Sequence, residues 1–269
     1  MTATCAILSK RAITISCDSF LTSFAKTKRT VVEAQRAKFL KFERLHGAVA
    51  YWGLARYSTW DLHHWLQEEI NNLSNGDSLD DWARTIADKL NQKYSHWPPS
   101  VRKMGLGIHL VGYELVDNCR VPEMWLIGNF TGINDDGSYL VGNTFSYSRR
   151  CLFDLRRAPG DDPSTHGLLE SRRIMKNYFQ TGQWMMFNNG DTGLFMKLAA
   201  GLGSAINLAK QRGNLDTSDV IKTQKNIAKT TIKMISDIQR NFFRENCRIV
   251  GGRTHTLTIK ANGEYLVNQ

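Results

Sequence analysis

Residues 2–19 read TATCAILSKRAITISCDS, and this stretch predicts the first element of the fold. Two β-rich runs, Thr2 to Ser9 and Ala12 to Ser19, flank the polar pair Lys10-Arg11, which is typical of two strands joined by a tight turn. Antiparallel pairing of the two strands returns Asp18 to the start of the chain. The sequence therefore predicts a carboxylate beside the first residues.

Residue 2 carries the chemistry that such a carboxylate could support. Removal of Met1 would expose a hydroxyl and an α-amino group on Thr2. The pKa of a free α-amino group is about 7.7–8.0, so a fraction is unprotonated near neutral pH and can accept the hydroxyl proton. Lys38 opens the next strand, and a buried Lys38–Asp18 pair would stabilise a developing alkoxide. The backbone N–H of Gly53 could face the oxyanion.

The remaining elements follow as hairpins and pairs of helices. Strands are predicted at Lys38–Glu43, Ala48–Leu54, Ile108–Leu115, Glu123–Phe130, Arg248–Ile259 and Glu264–Val267, and helices at Trp60–Leu73, Ser78–Leu90, Leu168–Phe179, Thr192–Gln211 and Ser218–Phe243. This grouping favours antiparallel sheets covered by helices over alternating βαβ units. The helix at Thr192–Gln211 is small and apolar on most faces, which predicts that it is buried.

The order and spacing of these elements resemble the proteasome β-type family of N-terminal nucleophile hydrolases, including its bacterial relatives. The segments that carry the resemblance are residues 2–19, KFLKFERLHGAVAYWGLA at 38–55, HLVGYEL at 109–115, PEMWLIGNF at 122–130 and VGGRTHTLTIKANGEYLV at 250–267. The resemblance implies one α+β domain over residues 1–269, a four-layer αββα sandwich of two antiparallel sheets, with an insertion at about 133–184.

The resemblance also implies two sets of site residues. The catalytic set is Thr2 as nucleophile, Asp18, Lys38 and the oxyanion-hole glycine Gly53. The substrate-binding set is Thr22, whose backbone would pair with an extended substrate, and Tyr51 and Ala55, which would line the specificity pocket. The implied activity is that of a threonine-type peptidase. Its implied partners are a polypeptide substrate, further copies of the chain in a ring-like homo-oligomer, and an ATPase regulator.

The chain departs from the family pattern at two places. Asn188-Asn189-Gly190-Asp191 stands where the family has a Gly-Ser-Gly turn, and the family's supporting Asp and Ser are not recognisable in the stretch Cys247 to Gly252. Lys41 competes with Lys38 for the role of the lysine. These departures leave open a non-catalytic subunit or scaffold that has kept the fold, and a different N-terminal nucleophile amidohydrolase that acts on a small substrate.

A further alternative is a polyanion-binding protein, although nucleic acid is the less favoured partner. The chain has a net charge of +10, with both ends richer in Lys and Arg than in Asp and Glu. Four lysines at helical spacing share one face of the last predicted helix, namely Lys222, Lys225, Lys229 and Lys233. An exposed lysine face is the simpler interpretation of that pattern, and an anion-binding stripe is the alternative.

Composition and motifs exclude several other classes. Hydrophobic residues make up 42% of the chain and charged residues 22%, which excludes a disordered or fibrous protein. Five cysteines without a CxxC pair, and the absence of HExxH, argue against a disulfide framework or a metal site. The glycine-rich phosphate motifs are incomplete, and the apolar stretch 193–209 contains Lys197 and is short for a membrane span. We therefore expect a cytoplasmic protein without cofactor, metal or membrane contact.

Overall fold

The computed structural model of the chain describes residues 3–25, 28–33, 37–72, 78–134, 139–150, 155–157, 165–189, 192–243 and 250–268. The strands are β1 Thr4–Leu8, β2 Ala12–Asp18, β3 Phe20–Ala25, β4 Lys28–Glu33, β5 Phe39–Phe42, β6 Gly47–Tyr57, β7 Trp60–Asp61, β8 Leu106–Val116, β9 Cys119–Ile133, β10 Tyr139–Arg150, β11 Leu155–Arg157, β12 Met185–Asn189, β13 Thr254–Lys260 and β14 Tyr265–Asn268. The helices are α1 Leu62–Asn71, α2 Leu79–Ser95, α3 Pro99–Arg102, α4 Thr165–Gln180, α5 Thr192–Gln211 and α6 Val220–Phe242.

The strands form two sheets. A five-stranded sheet has the order β12-β1-β2-β13-β14, and every pair in it is antiparallel. A nine-stranded sheet has the order β11-β10-β9-β8-β6-β3-β4, with β5 and β7 also paired to β6. Its pairs are antiparallel except for β3 and β6, which run parallel. The predicted α+β class with two largely antiparallel sheets is therefore confirmed. The parallel pairing of β3 with β6 was not predicted from the sequence.

Alternation along the strands divides the core into layers. Ala48 and Ala50 of β6 pack against β1 and β2, where they meet Leu8 and Ile15. The intervening residues of β6 point the opposite way, since successive side chains of a strand face opposite sides of a sheet. These residues pack under α1 and α2, against side chains such as Leu66.

The outer face of the five-stranded sheet is covered in the same way by α6. Cys5 and Ile7 of β1 pack against Ala228, Ile232 and Ile235 of this helix. The order is therefore helices, sheet, sheet and helices, with the ends of β1 and β2 enclosed between two other layers.

The described part of the stretch 133–184 belongs to the sheet and its cover. β10 pairs with β9 and extends the nine-stranded sheet. The predicted helix near Leu168 to Phe179 is confirmed as α4, which packs on β8 and β9 and buries Leu168, Met175 and Phe179. This stretch therefore contributes ordered structure where the family resemblance implies an insertion.

Helix α5 differs from its predicted environment. Among its described side chains none is fully buried, and Leu208 is 45% exposed. The prediction of a buried helix is therefore wrong for these residues. The physical reason is that the amphipathic helix α6 already covers β1 and β2, which leaves α5 to pack on β12 and on the side of α6.

A buried ion network joins α4 to the sheet. Glu123 of β9 accepts from Arg149 of β10 at 2.6 Å and from Nε of Arg172 in α4 at 2.7 Å. Arg149 also donates to Ser171 at 2.7 Å. Glu123 and Arg149 are almost inaccessible to solvent, so each charge depends on the other for compensation. Burial, followed by the charge of Glu123, raises the pKa of the adjacent Glu114.

The substitution Glu123→Gln should destabilise the fold by about 3–5 kcal/mol, because it leaves the buried Arg149 without its anion. Urea unfolding followed by circular dichroism measures this loss. Glu170→Gln is the matched control, since Glu170 is exposed and lies 3.7 Å from Arg173. The control should cost less than about 1 kcal/mol. Equal losses in the two variants would contradict a structural role for the buried network.

Candidate active site

A buried ion pair lies where β2 ends and β5 is about to begin. Asp18 is the last residue of β2, and Lys38 immediately precedes β5. The Nζ of Lys38 is 3.2 Å from Oδ1 of Asp18. The Lys38 side chain is 0% exposed to solvent and the Asp18 side chain 1%. Lys38 also donates to the carbonyl oxygen of Phe20. Burial lowers the pKa of Lys38, and the charge of Asp18 opposes that shift.

Three backbone N–H groups converge on the Asp18 carboxylate. Ala3 donates to Oδ1 at 2.9 Å, while Gly251 and Phe20 donate to Oδ2 at 3.1 and 3.3 Å. Together with Lys38 they engage both carboxylate oxygens. Thr2 itself lies outside the described residues, but Ala3 follows it directly. The structure therefore brings Asp18, Lys38 and the beginning of the chain together, as predicted.

Gly251 is a site residue that the sequence analysis missed. A Cβ at this position would lie 2.7 Å from the ring of Phe20, so only glycine lets the backbone approach the carboxylate this closely. The Gly251-Gly252 pair inside the predicted strand Arg248–Ile259 is the signal that could have indicated it, since glycine within a strand pattern marks a close backbone approach. The family's supporting Asp and Ser would act through their side chains, whereas Gly251 supports the carboxylate through its backbone N–H.

The structure distinguishes the two candidate lysines. Lys41 is exposed, and its Nζ lies 5.4 Å from the centroid of the Tyr265 ring. Lys38 is buried against Asp18, and its carbonyl oxygen accepts from the N–H of Tyr51 at 3.3 Å. Burial and the contact with the Asp18 carboxylate, not strand alternation, therefore favour Lys38.

Gly53 lies at a bend of β6. Its φ is +87°, and a Cβ there would meet the carbonyl oxygen of Gly105 at 2.0 Å, so the position requires glycine. The next residue, Leu54, pairs with Thr22 of β3, the strand that starts at Phe20. Gly53 therefore lies next to the strand whose first carbonyl accepts from Lys38. Its role as an oxyanion donor stays a prediction.

The three predicted substrate-binding residues lie within the sheet and its core. The backbone of Thr22 is paired on both sides, with Val31 of β4 and Leu54 of β6, so it offers no free edge to a substrate strand. Tyr51 and Ala55 are buried under α1, and the Tyr51 hydroxyl is 3.1 Å from Nδ1 of His63. In the described part of the chain these three residues are thus engaged in sheet pairing and core packing. Their substrate-binding role stays a prediction.

Cys17 is a described thiol next to Asp18 that could compete with a threonine as nucleophile. It precedes Asp18, and the charge of Lys38 acts on it. Burial nevertheless raises the pKa of its thiol to about 12. Because the thiolate is the reactive form, Cys17 is inert near neutral pH.

A second buried polar group fixes the end of β12, where the chain departs from the family's Gly-Ser-Gly turn. The side chain of Asn189 contacts Nε2 of His109 and accepts from the hydroxyl of Tyr139 at 2.9 Å. The carbonyl oxygen of Asn189 accepts from Thr4 of β1 at 3.3 Å. Gly190 and Asp191 lie outside the described residues. Asn189 thus takes part in packing between the two sheets, and it lies opposite Thr4, the residue that follows Ala3.

His109 is neutral in this environment. It is completely buried, its ring lies 4.6 Å from that of Trp52, and burial together with the charge of Arg150 lowers the pKa of His109 to about 3. It is therefore a packing residue at physiological pH, not a general acid or base.

Comparison with known proteins adds no assignment. No protein-family model matches this chain, and no curated protein is significantly similar to it in sequence. Over the ranges that the structure describes, no three His, Cys, Asp or Glu side chains are grouped so that they could hold a metal ion. None of the helices in those ranges has an apolar stretch that could cross a membrane.

His109 should make stability depend on pH in mildly acidic solution. Between pH 6.5 and about 3 the unfolded chain binds a proton at His109 that the folded chain does not, so the free energy of unfolding falls as the pH is lowered. The largest slope from one such group is about 1.4 kcal/mol per pH unit. Urea unfolding at several values between pH 4 and 7 should give a shallower slope for His109→Gln than for the wild type. Parallel slopes would contradict a neutral buried histidine.

Proposed function

We propose that this chain is a threonine-type N-terminal nucleophile hydrolase that cleaves amide bonds in polypeptides. Thr2, after removal of Met1, would supply the attacking hydroxyl, and its own α-amino group would be the base. The observation that carries this proposal is the hydrogen bond from Ala3 N to Asp18, which is itself paired with the buried Lys38. The nitrogen of Ala3 is covalently bonded to the carbonyl carbon of Thr2, so Thr2 would lie directly beside this ion pair.

The cost of burying the pair supports a chemical role. Removing two charges from water costs several kcal/mol for each ion, and a pair of apolar side chains can be equally stable in such a place. The pKa of Lys38 is lowered, and the lysine is held beside a carboxylate that contacts the first residues of the chain. Ionisable groups with perturbed pKa values of this kind are common in functional sites. Lys38 could stabilise the developing alkoxide on Thr2, and Asp18 would fix the orientation of Lys38.

The reaction would proceed in two steps. The Thr2 hydroxyl oxygen attacks the amide carbonyl carbon while its proton passes to the α-amino group. The resulting oxyanion collapses, the C–N bond breaks, and the α-ammonium group returns the proton to the leaving amine. Water activated by the same amine then hydrolyses the ester and regenerates Thr2. A backbone N–H at Gly53 would be the donor to the oxyanion.

A second candidate function is a non-catalytic subunit or scaffold with the same architecture. Its support is the paired backbone of Thr22 and the burial of Tyr51 and Ala55, the residues that were expected to bind a substrate. Assembly into a ring-like homo-oligomer would suit either function.

The decisive experiment labels the mature protein with a peptide β-lactone and identifies the modified residue by mass spectrometry. Wild-type protein should lack Met1 and carry the label on Thr2, and Thr2→Ala should remain unlabelled. Lys38→Met should slow labelling by about 10²-fold or more, because the alkoxide loses its cation. Lys41→Ala is the matched control and should react at the wild-type rate, since Lys41 is exposed.

Circular dichroism must first establish that Lys38→Met is folded. A retained Met1, or labelling that survives Thr2→Ala, would overturn the proposal. A processed Thr2 that neither reacts nor cleaves a peptide library would support the non-catalytic alternative.

A further inference from the structure

A large cavity lies at the opposite end of the five-stranded sheet from Asp18. β2 runs from this cavity, at the turn containing Lys10 and Arg11, to the ion pair at its other end. The cavity has a volume of about 790 Å³, which lies within the range of small-molecule sites. Its other walls are the connection from α4 to β12, the end of α5, the start of α6 and the turn between β13 and β14.

The charges of the described residues that line this cavity are all positive. They are those of Lys10, Arg11, Lys210 and Lys260, and none of these described lining residues is Asp or Glu. Lys260 is already matched by Glu264 at 2.8 Å. Within the described part of the chain, the side chains of Lys10 and Arg11 form no hydrogen bond or ion pair. The cavity therefore keeps a surplus of positive charge that an anion would neutralise.

Lys210 is held in position at the wall of the cavity. Its Nζ donates to the carbonyl oxygen of Gly182 at 2.6 Å and lies 5.1 Å from the centroid of the Trp184 ring. An ammonium group has three protons, so two remain for a ligand. Trp184 and Phe179 add an apolar wall beside these donors. Fixed cations beside an aromatic surface therefore favour a small organic anion over water as the occupant of the cavity.

The start of α6 contributes little to this charge. Asp219 caps the helix by accepting from the N–H of Lys222 at 3.0 Å, and Asp216 accepts from the N–H of Ser218 at 2.9 Å. Both carboxylates are thus engaged locally, outside the lining of the cavity. The attraction for an anion comes from the side-chain cations.

We infer that this cavity binds a small phosphate-bearing anion. The guanidinium of Arg11 can donate two parallel hydrogen bonds to phosphate oxygens, and the ammonium groups of Lys10 and Lys210 supply point charges around them. A phosphate dianion would match the surplus charge more closely than a single carboxylate does. This inference does not depend on the proposed hydrolase activity, which lies at the other end of the sheet.

Isothermal titration of the full chain with pyrophosphate tests the inference. The double variant Lys10→Ala/Arg11→Ala should weaken binding about tenfold or more, since it removes two charged donors. The matched control is Lys229→Ala/Lys233→Ala, which removes the same net charge from exposed positions of α6. The control should bind like the wild type.

Thermal melting must first establish that both variants are folded. Equal affinity in the wild type and the Lys10/Arg11 variant would overturn the inference, as would equal weakening in the two variants or no binding at millimolar pyrophosphate.

Two further ligands identify the source of the phosphate. Tighter binding of AMP than of inorganic phosphate would support an organic phosphate that uses the Trp184 wall, and equal binding would support free phosphate in the same cavity. A single-stranded oligonucleotide that binds more tightly than either and loses affinity only in the α6 control variant would overturn the inference in favour of polyanion binding along the helix. Thr2→Ala should leave pyrophosphate binding unchanged, which separates this test from that of the hydrolase.

Discussion

The buried pair of Asp18 and Lys38 is the constraint on which the site depends. A carboxylate and an ammonium group can remain ionised away from water only if their remaining hydrogen-bonding capacity is used. That requirement is met by N–H groups of Ala3 and Gly251 and by the peptide groups of Phe20. The first strand, the end of β2 and the approach to β13 must therefore meet at one point. The pairing of β2 with both β1 and β13 makes this possible.

Local features of the chain could be predicted from the sequence because their determinants are close together. The Lys10-Arg11 turn between two β-rich runs predicted the first hairpin, which β1 and β2 form. Ser78 and Asp81 form the capping box at the start of α2. The convergence of Asp18 on the start of the chain followed from antiparallel pairing alone. The sequence left Lys41 as a competitor to Lys38, and only the burial of Lys38 beside Asp18 and the exposure of Lys41 distinguish them.

The features that could not be predicted depend on partners far apart in sequence. Gly251 lies 233 positions from the carboxylate that it contacts, and no local pattern connects the two. The side chains around Glu123 come from β9, β10 and α4, and each is of a type common on protein surfaces. The exposure of α5 could not be predicted for a related reason. The apolar composition of a helix does not show that another helix already covers the sheet. The parallel ladder between β3 and β6 likewise depends on tertiary arrangement.

The central position of β2 in its sheet has a consequence for biosynthesis. One neighbour of β2 emerges from the ribosome just before it, whereas the other, β13, is translated more than 230 residues later. Pairings of such long range form slowly, because a large loop must close first. The nascent chain therefore cannot complete the hydrogen-bonding shell around Asp18 until Gly251 has left the exit tunnel. Any activity that needs this shell would therefore begin only after almost the whole chain has been translated.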